Sequence, residues 1–416
     1  MEEGNKWIMN LKSNWLLKWV FILILIVGLL NLTGCWGKRE VEELAPLLGI
    51  GFDLGKKPGT FLVTQQFART KKGASSGAEV EARSFSVEAS SAREAIEKIA
   101  AVTYRKPFMG SLKVVIIGED VAKEVGFTNM LDFLQRFSEF RRSMYLVLAK
   151  GKAQDILNLK LRSGLLPATA IKSNIESGDE LSNFPTVRLG HYLTILGTKS
   201  TSPILPVIES VKSGEGIEYK AEEKNQPEEI RIQGAGVLHE DHLVDFLTDE
   251  ETKGYMWLDN DVLQRLISTT ELEETPKFGG HVLNSTTKYK LKTNNGKLEL
   301  QYQIKTSLAV DQILDLKKQL SGPEWVELLK GAEKSFAKVI EKECESSIKK
   351  QRELGCDFLG VGRHIEQRNS AYWQTIKEHW EEEVKDFPIS LEVQVTIHHS
   401  GMSSSSAVNS TGEGQE

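Results

Sequence analysis

Hydrophobic positions along this chain change period several times, and each change marks an expected element. Leu47–Phe52 is an unbroken apolar run with two glycines, which predicts a buried strand entering Asp53. Phe61–Ala68 and Val80–Ala89 are β-like runs. The Gly/Ser-rich stretch Lys71–Gly77 between them predicts a long hairpin. Ser91, followed three residues later by Glu94, has capping-box spacing, and Ile96, Ile99 and Thr103 continue it as a helical stripe. Lys113–Gly118 predicts a strand buried on both faces. Phe127–Phe140 predicts a helix with Met130, Leu131, Leu134 and Phe137 inward, and Tyr145–Ala149 a further strand. Strands and helices alternating in this way build an α/β or α+β module.

Residues 209–229 change character, because Glu, Lys, Gly, Asn and Gln dominate and large apolar residues thin out. Beyond them, Ile230–Leu238 and His242–Phe246 predict a hairpin around Glu240 and Asp241, and Glu250–Asn260 a short helix. His281–Leu291 and Leu298–Leu308 alternate as two long strands, joined by Asn294-Asn295-Gly296, a tight-turn sequence. Ser321-Gly322-Pro323-Glu324 opens the longest helix, with Trp325, Leu329, Ala332, Phe336, Ile340, Cys344 and Ile348 on one face. Ser370 is placed to cap a second helix carrying Trp373, Ile376, Trp380 and Val384, and Ile389–Ile397 closes as a strand. The expected fold class is therefore α+β, with two to three mixed modules in tandem, antiparallel-rich sheets and packed helices. The expected layout is an α/β module over 35–210, a linker or domain edge over 211–229, an α+β module over 230–400 and a disordered tail over 401–416.

The N-terminus adds a different pattern. Lys6, Lys12 and Lys18 lie in a polar stretch, Val20–Leu30 is apolar apart from Gly28, and Leu32-Thr33-Gly34-Cys35 follows. This is the layout of a lipoprotein signal peptide over residues 1–34, with Cys35 as the first mature residue and the acceptor of lipid. The apolar stretch is shorter than the ~20 residues of a spanning helix. The expected product is a protein lipid-anchored on the outer face of the cell membrane, with Cys35 as an N-palmitoyl, S-diacylglycerol cysteine. Two or more acyl chains anchor stably where one does not.

Charge and chemistry narrow the function. Removing three lysines and two glutamates with the leader leaves 49 basic against 56 acidic residues. An acidic total argues against nucleic acid and against electrostatic adhesion to anionic lipid. Beyond Cys35 only Cys344 and Cys356 remain, read as separate thiols with Cys344 on the apolar face of a helix. No residues stand at zinc spacing, so neither metal nor cofactor is expected. Gly73–Gly77 matches a nucleophile-elbow expression but sits in a hairpin loop, and Ser335–Lys338 matches a serine-hydrolase motif inside an amphipathic helix. Gly49-Ile50-Gly51 is out of register for a dinucleotide site, and His239 and His242 flank a turn. None of these makes a catalytic constellation, and no enzymatic activity is expected.

Taken in order, the motifs resemble the Ger(x)C family of spore germination lipoproteins, the C subunits of germinant receptors. The resemblance starts at Cys35–Glu42 and Gly49–Asp53, and continues through Ser91–Ile99, Leu112–Glu119 and Arg141–Leu157. It resumes at Gly234–Leu238, Asp241–Leu247 and Cys356–Gly362, and ends with Trp373–Trp380, Phe387 and Gly401. Ser111 stands where many relatives carry histidine, and the polar leader is long enough that Met9 is an alternative start. The resemblance implies a non-enzymatic lipoprotein on the spore inner membrane, partnered by two membrane-integral receptor subunits and required for the response to nutrients. A scaffold or coupling role follows as the expectation. The alternatives are a solute-binding lipoprotein of a transporter and an extracytoplasmic hydrolase. Trp373 and Trp380, seven apart, are expected to fill the core rather than to face a partner.

Overall fold

The computed structural model describes residues 15, 18–26, 44–70, 80–103, 105–212, 228–273, 276–294, 297–316 and 320–399. Cys35, the Lys71–Gly77 turn, most of the 211–229 segment, Asn295-Gly296 and the 401–416 tail lie outside them. Residues 18–26 form helix α1, within a unit that spans residues 1–44. No helix among the described residues is long and apolar enough to cross a membrane. Residues 45–416 form a second unit.

The first half runs β1 (Leu44–Leu54), β2 (Phe61–Thr70), β3 (Val80–Ala89), α2 (Ala92–Ala100), β4 (Lys106–Phe108), β5 (Val114–Gly118), α3 (Glu119–Glu124) and α4 (Thr128–Arg136). It continues with β6 (Tyr145–Ala149), α5 (Ala153–Leu157), α6 (Pro167–Leu181), α7 (Leu189–Leu196), β7 (Ile204–Lys212), β8 (Glu228–His239) and β9 (His242–Leu247). These strands make one mixed sheet in the order β3-β2-β1-β5-β6-β7-β8-β9, with β4 on β1. The centre is parallel, and an antiparallel hairpin extends each side. Every residue of β5 and β6 is buried, as parallel strands covered on both faces require. Val115 and Ile117 face α2, α3, α4 and α7, while Val114 and Ile116 face α5 and α6.

Three helices, α5 to α7, were not legible as amphipathic stripes. The buried residues of α6 include Pro167, Ala168, Ala170, Ile171, Ile175 and Gly178, several of them small enough to lie close to the sheet. The helix expected over Phe127–Phe140 stops at Arg136, where Phe133, Phe137 and Phe140 turn into a ring cluster with centroids 5.5–6.1 Å apart. Strands β8 and β9, expected within the module over 230–400, extend the first sheet, β8 pairing with β7 and β9 with β8.

The second half contains α8 (Asp249–Leu258), β10 (Leu266–Ser268), β11 (Lys277–Asn294), β12 (Lys297–Leu314) and α9 (Gly322–Leu354). After these come α10 (Val361–Arg368), α11 (Ser370–Ile376), α12 (Trp380–Asp386) and β13 (Ile389–His399). The sheet order is β10-β11-β12-β13, with β13 parallel to β12. Tyr302, Ile304 and Leu308 of β12 point into a core that α9 covers with Ala332, Phe336, Ile340, Cys344 and Ile348. That core also contains Ile204, Ala235, Val237 and Leu247 from the first sheet, so the two halves share apolar packing. The single helix expected from Ser370 is two, joined by a 3-10 turn at Lys377–His379, and its cap is Asn369, whose side chain accepts from Tyr372 N.

Helix α8 crosses α9 at closest approach through Gly254, where a Cβ would lie 1.9 Å from the carbonyl oxygen of Glu343. Both helices would have to separate to admit it. Gly254→Ala is therefore expected to destabilise the protein by about 3 kcal/mol. Gly331→Ala, in the open on α9 with nothing within 4 Å, is expected to stabilise it by about 0.5–1 kcal/mol. Urea unfolding of the two variants measures both signs; equal effects would refute the close crossing.

Candidate functional site

The one site residue named by the sequence, Cys35, lies outside the described residues, so its lipid attachment stays an expectation. The structure instead shows what the motif aspartates do. Asp53 ends β1 and accepts from Ala153 N (2.7 Å) and Gln154 N (2.8 Å), the first turn of α5. Asp241, in the β8–β9 turn, accepts from Phe127 N (3.0 Å) and Thr128 N (2.8 Å) at the start of α4. Asp357 accepts from Val361 N (2.8 Å) and Gly362 N (2.6 Å) at the start of α10. A helix start leaves backbone N–H groups without intrahelical partners, and a carboxylate answers both that deficit and the dipole. For Asp53 and Asp241 the carboxylate arrives from a strand or turn about a hundred residues away in sequence.

Each carboxylate requires room. Gly126 has φ +76, and a Cβ there would stand 2.7 Å from Asp241 Oδ1, so a side chain would both strain the backbone and displace the cap. Burial pushes the Asp241 carboxyl up, but hydrogen bonds from Thr128 and Phe127, with His242 nearby, outweigh it and leave it below the usual carboxylate range. At Asp53 burial wins over the bonds from Gln154 and Ala153, and the group is raised.

Asp357 is the most connected of the three. Its Oδ2 also accepts from Trp380 Nε1 (2.9 Å), and its main-chain oxygen accepts from Ser202 N (2.7 Å) and Thr201 Oγ1 (3.1 Å). One residue thus joins the α9–α10 loop, α12 and the approach to β7. Trp380 stands edge-on to Trp373 (5.5 Å) and to Phe387 (5.6 Å), and all three rings are buried. The expected core role of Trp373 and Trp380 is what the structure shows. Complete burial pushes Asp357 up to about 6, against the lowering effect of its three N–H donors and of Arg363.

Beside this clamp a cleft of about 390 Å³ opens between residues 195–203, the β8–β9 turn and the 377–382 segment. It is polar, and His239 Nε2 lies 3.8 Å from Glu381 Oε1 across it. His242 pairs instead with Asp241, at 2.9 Å. No group of His, Cys, Asp and Glu among the described residues is arranged to hold a metal ion. Cys344 and Cys356 are free and buried. Burial pushes the Cys356 thiol up to about 11 and the Cys344 thiol well above the ordinary thiol range, away from the thiolate that nucleophilic or redox chemistry needs.

A second buried polar group fixes the α8–α9 crossing. Arg265 Nη2 meets Glu343 Oε1 at 2.8 Å, and Trp257 Nε1 donates to Glu343 Oε2 at 2.7 Å. Ser335 and Phe336 are buried on α9, and Gly49 and Gly51 lie within β1 against α5 and α6, so both motif matches are packing features. Ser111, the position that departs from the family pattern, has Oγ 2.9 Å from Leu47 O and 2.8 Å from Phe108 O, stitching the start of β1 to the β4 turn.

Two family models match the chain. Residues 37–210 match the spore germination protein N-terminal domain, and residues 233–401 the spore germination B3/GerAC-like C-terminal domain. Spore germination protein KC of Bacillus subtilis (strain 168) is 25% identical over 400 residues, covering 92% of this chain and 96% of that protein. Spore germination protein B3 of the same organism is 23% identical, covering 91% and 97%. The crystal structure of the GerBC protein is similar over 84% of this chain and 97% of that one, with a TM-score of 0.49 and 19% identity.

The sign of the Asp357 shift gives a pH dependence. The unfolded carboxyl titrates near 4 and the folded one at about 6, so the folded chain holds this proton over the intervening window. Its contribution to stability is complete below about pH 4 and is lost as pH rises to about 6. Asp357→Asn is expected to flatten the stability profile over that window. Asp357→Ala, which orphans three N–H donors, is expected to cost about 3 kcal/mol at pH 7. Urea unfolding at several pH values reads both, and a wild-type profile parallel to that of Asp357→Asn would refute the assignment.

Proposed function

Because the chain belongs to the GerAC-like family of spore germination proteins, we propose that it is a lipid-anchored, non-enzymatic subunit of a nutrient germinant receptor. The observation that carries the reading is the order and extent of the match. Two family domains cover residues 37–210 and 233–401, and relatives are aligned over nearly their full lengths. The N-terminal match begins two residues after Cys35, the position at which the lipobox would start the mature chain.

In this reading the protein scaffolds or couples two membrane-integral receptor subunits from the outer face of the spore inner membrane. The buried polar groups support it. The carboxylates described above spend their lone pairs on backbone N–H groups and on Trp380, which braces a framework and leaves them unsuited to acid–base turnover. A transporter's solute-binding lipoprotein is the competing reading, but sheets of nine and four strands do not form two matching lobes.

The test is a pull-down of the tagged full-length chain from detergent-solubilised spore inner membrane, with the N-terminal mass read on the same material. The expected result is a mature chain starting at lipidated Cys35, recovered with two multi-span subunits. Cys35→Ala is expected to retain residues 1–34. Recovery of a transporter permease would replace the receptor reading with the solute-binding one, and an unmodified Cys35 would remove the anchor.

A further inference from the structure

The acidic total charge conceals a cationic end. The register of the first sheet places the start of β1 beside the end of β2 and the start of β3, since Leu47 pairs with Phe67 and Thr70 with Val80. The starts of β5 and β6 lie at the same end, with Gly49 opposite Val114 and Val114 opposite Tyr145. Two pockets open there. The first, about 340 Å³, has Phe67 and Phe85 in its wall and Arg69, Arg83 and Arg105 around it, next to Ala45. The second, about 320 Å³, is lined by Lys113, Arg141, Lys172 and Arg188 beside Tyr145.

Across both pockets seven cations meet one lining carboxylate, Glu176, which Lys172 engages at 2.5 Å. Among the described residues Arg69 has one distant partner, Glu81 at 3.9 Å. Arg83, Arg105, Lys113 and Arg141 form no ion pair among the described residues. Arg188 lies over the Tyr145 ring, its Cζ 4.8 Å from the centroid, and donates to Tyr145 Oη and Ser143 O. Val102 (60% exposed), Val80 (47%) and Phe108 (40%) leave apolar side chains in the open at this end.

We propose that this end of the sheet binds the headgroups of an anionic phospholipid surface. The argument for that occupant is the tether, and it rests on the lipid anchor at Cys35. Ala45, in the wall of the first pocket, is ten residues beyond Cys35. Ten residues span at most ~35 Å, and the strands carrying the cations lie within roughly 10 Å of β1 across the sheet. The anchored chain therefore holds these cations close to a membrane by connectivity alone. Arginines and lysines match phosphate oxygens, and exposed Val and Phe side chains suit the headgroup–acyl boundary. A lipid anchor fixes distance and leaves orientation free; a cationic end supplies the orientation.

The test uses the full-length chain reconstituted into vesicles of phosphatidylcholine alone or mixed with phosphatidylglycerol. Backbone hydrogen exchange is read over residues 101–113 and 141–145. Each cation held at an anionic surface is worth about fivefold in association. Exchange there is expected to slow by about tenfold or more with phosphatidylglycerol, and to return to the phosphatidylcholine rate in 1 M salt, where screening falls to ~3 Å. The variant R69E/R83E/R105E, all exposed positions, is expected to lose the slowing. Equal exchange in both vesicles, or the same slowing from inorganic phosphate without vesicles, overturns the proposal. The N-terminal mass reads the anchor separately: slowed exchange with an unlipidated Cys35 retires the anchor and keeps the surface.

Discussion

Everything at the junction of the two sheets depends on one buried carboxylate finding enough donors. Asp357 is wholly enclosed, and no ion pair to it forms among the described residues; what it has is Val361 N, Gly362 N and Trp380 Nε1. Burial of a charge without compensation costs several kcal/mol, so the three donors are a condition for the loop to exist in this form. They come from α10 and α12, while the same residue's main chain is held by Thr201 and Ser202 ahead of β7. The loop consequently cannot keep both its carboxylate and its main-chain oxygen satisfied unless α10, α12 and the approach to β7 are all docked. Local chemistry thereby enforces a long-range arrangement.

Asp53 and Asp241 repeat the device at other places in the first sheet. A helix capped by its own preceding residue forms locally and reports little about the rest of the fold. One capped by a distant strand end forms completely only when the sheet is assembled. The buried ion pair of Arg265 with Glu343, completed by Trp257, does the same for the crossing of α8 and α9. Such pairs add little net stability but penalise wrong arrangements heavily, because any mispacking strands a charge. For a subunit whose proposed work is to hold other proteins in register, specificity of arrangement is the property that matters.

This also explains what was legible in the sequence. Strands β5, β6, β11 and β12 and helix α9 announce themselves by period, because one face or both must be apolar whatever the partners are. The buried tryptophans were placed correctly from a spacing of seven. Helices α5 and α6 were invisible because their inward faces are short and rich in small residues, with Leu157 as a lone leucine rather than part of a long Leu stripe. Strands β8 and β9 lie almost wholly within the span of the C-terminal family domain while also continuing the first sheet. A polar segment resembles a linker, yet its flanking strands pair with each other across it. The aspartates were written in the motifs, but the N–H groups that employ Asp53 and Asp241 belong to residues about a hundred positions distant, and no local pattern points to them. His364 is similar: it stacks on Tyr289 at 3.7 Å, and burial pushes it down to about 3, so it is a neutral core ring.

Total charge and the charge of one face are different quantities. An acidic chain was expected to avoid anionic surfaces, but electrostatic attraction at a membrane is decided within about a Debye length, ~8 Å at physiological salt. Charges on the far side of a domain this size are screened out; only the facing residues count. Strand polarity governs which residues face. Because β1, β5 and β6 are parallel, their starts gather at one end of the sheet with Lys113 and Tyr145, and the hairpin partners of β1 bring Arg69 and Arg83 to the same end. Net charge is blind to that sorting, since it depends on topology alone. With the proposed anchor at Cys35, a parallel centre entered from that end places whatever precedes each strand toward the membrane. In this chain those positions include Lys113 and Arg141, and a bridge to Tyr145 brings Arg188 to the same end.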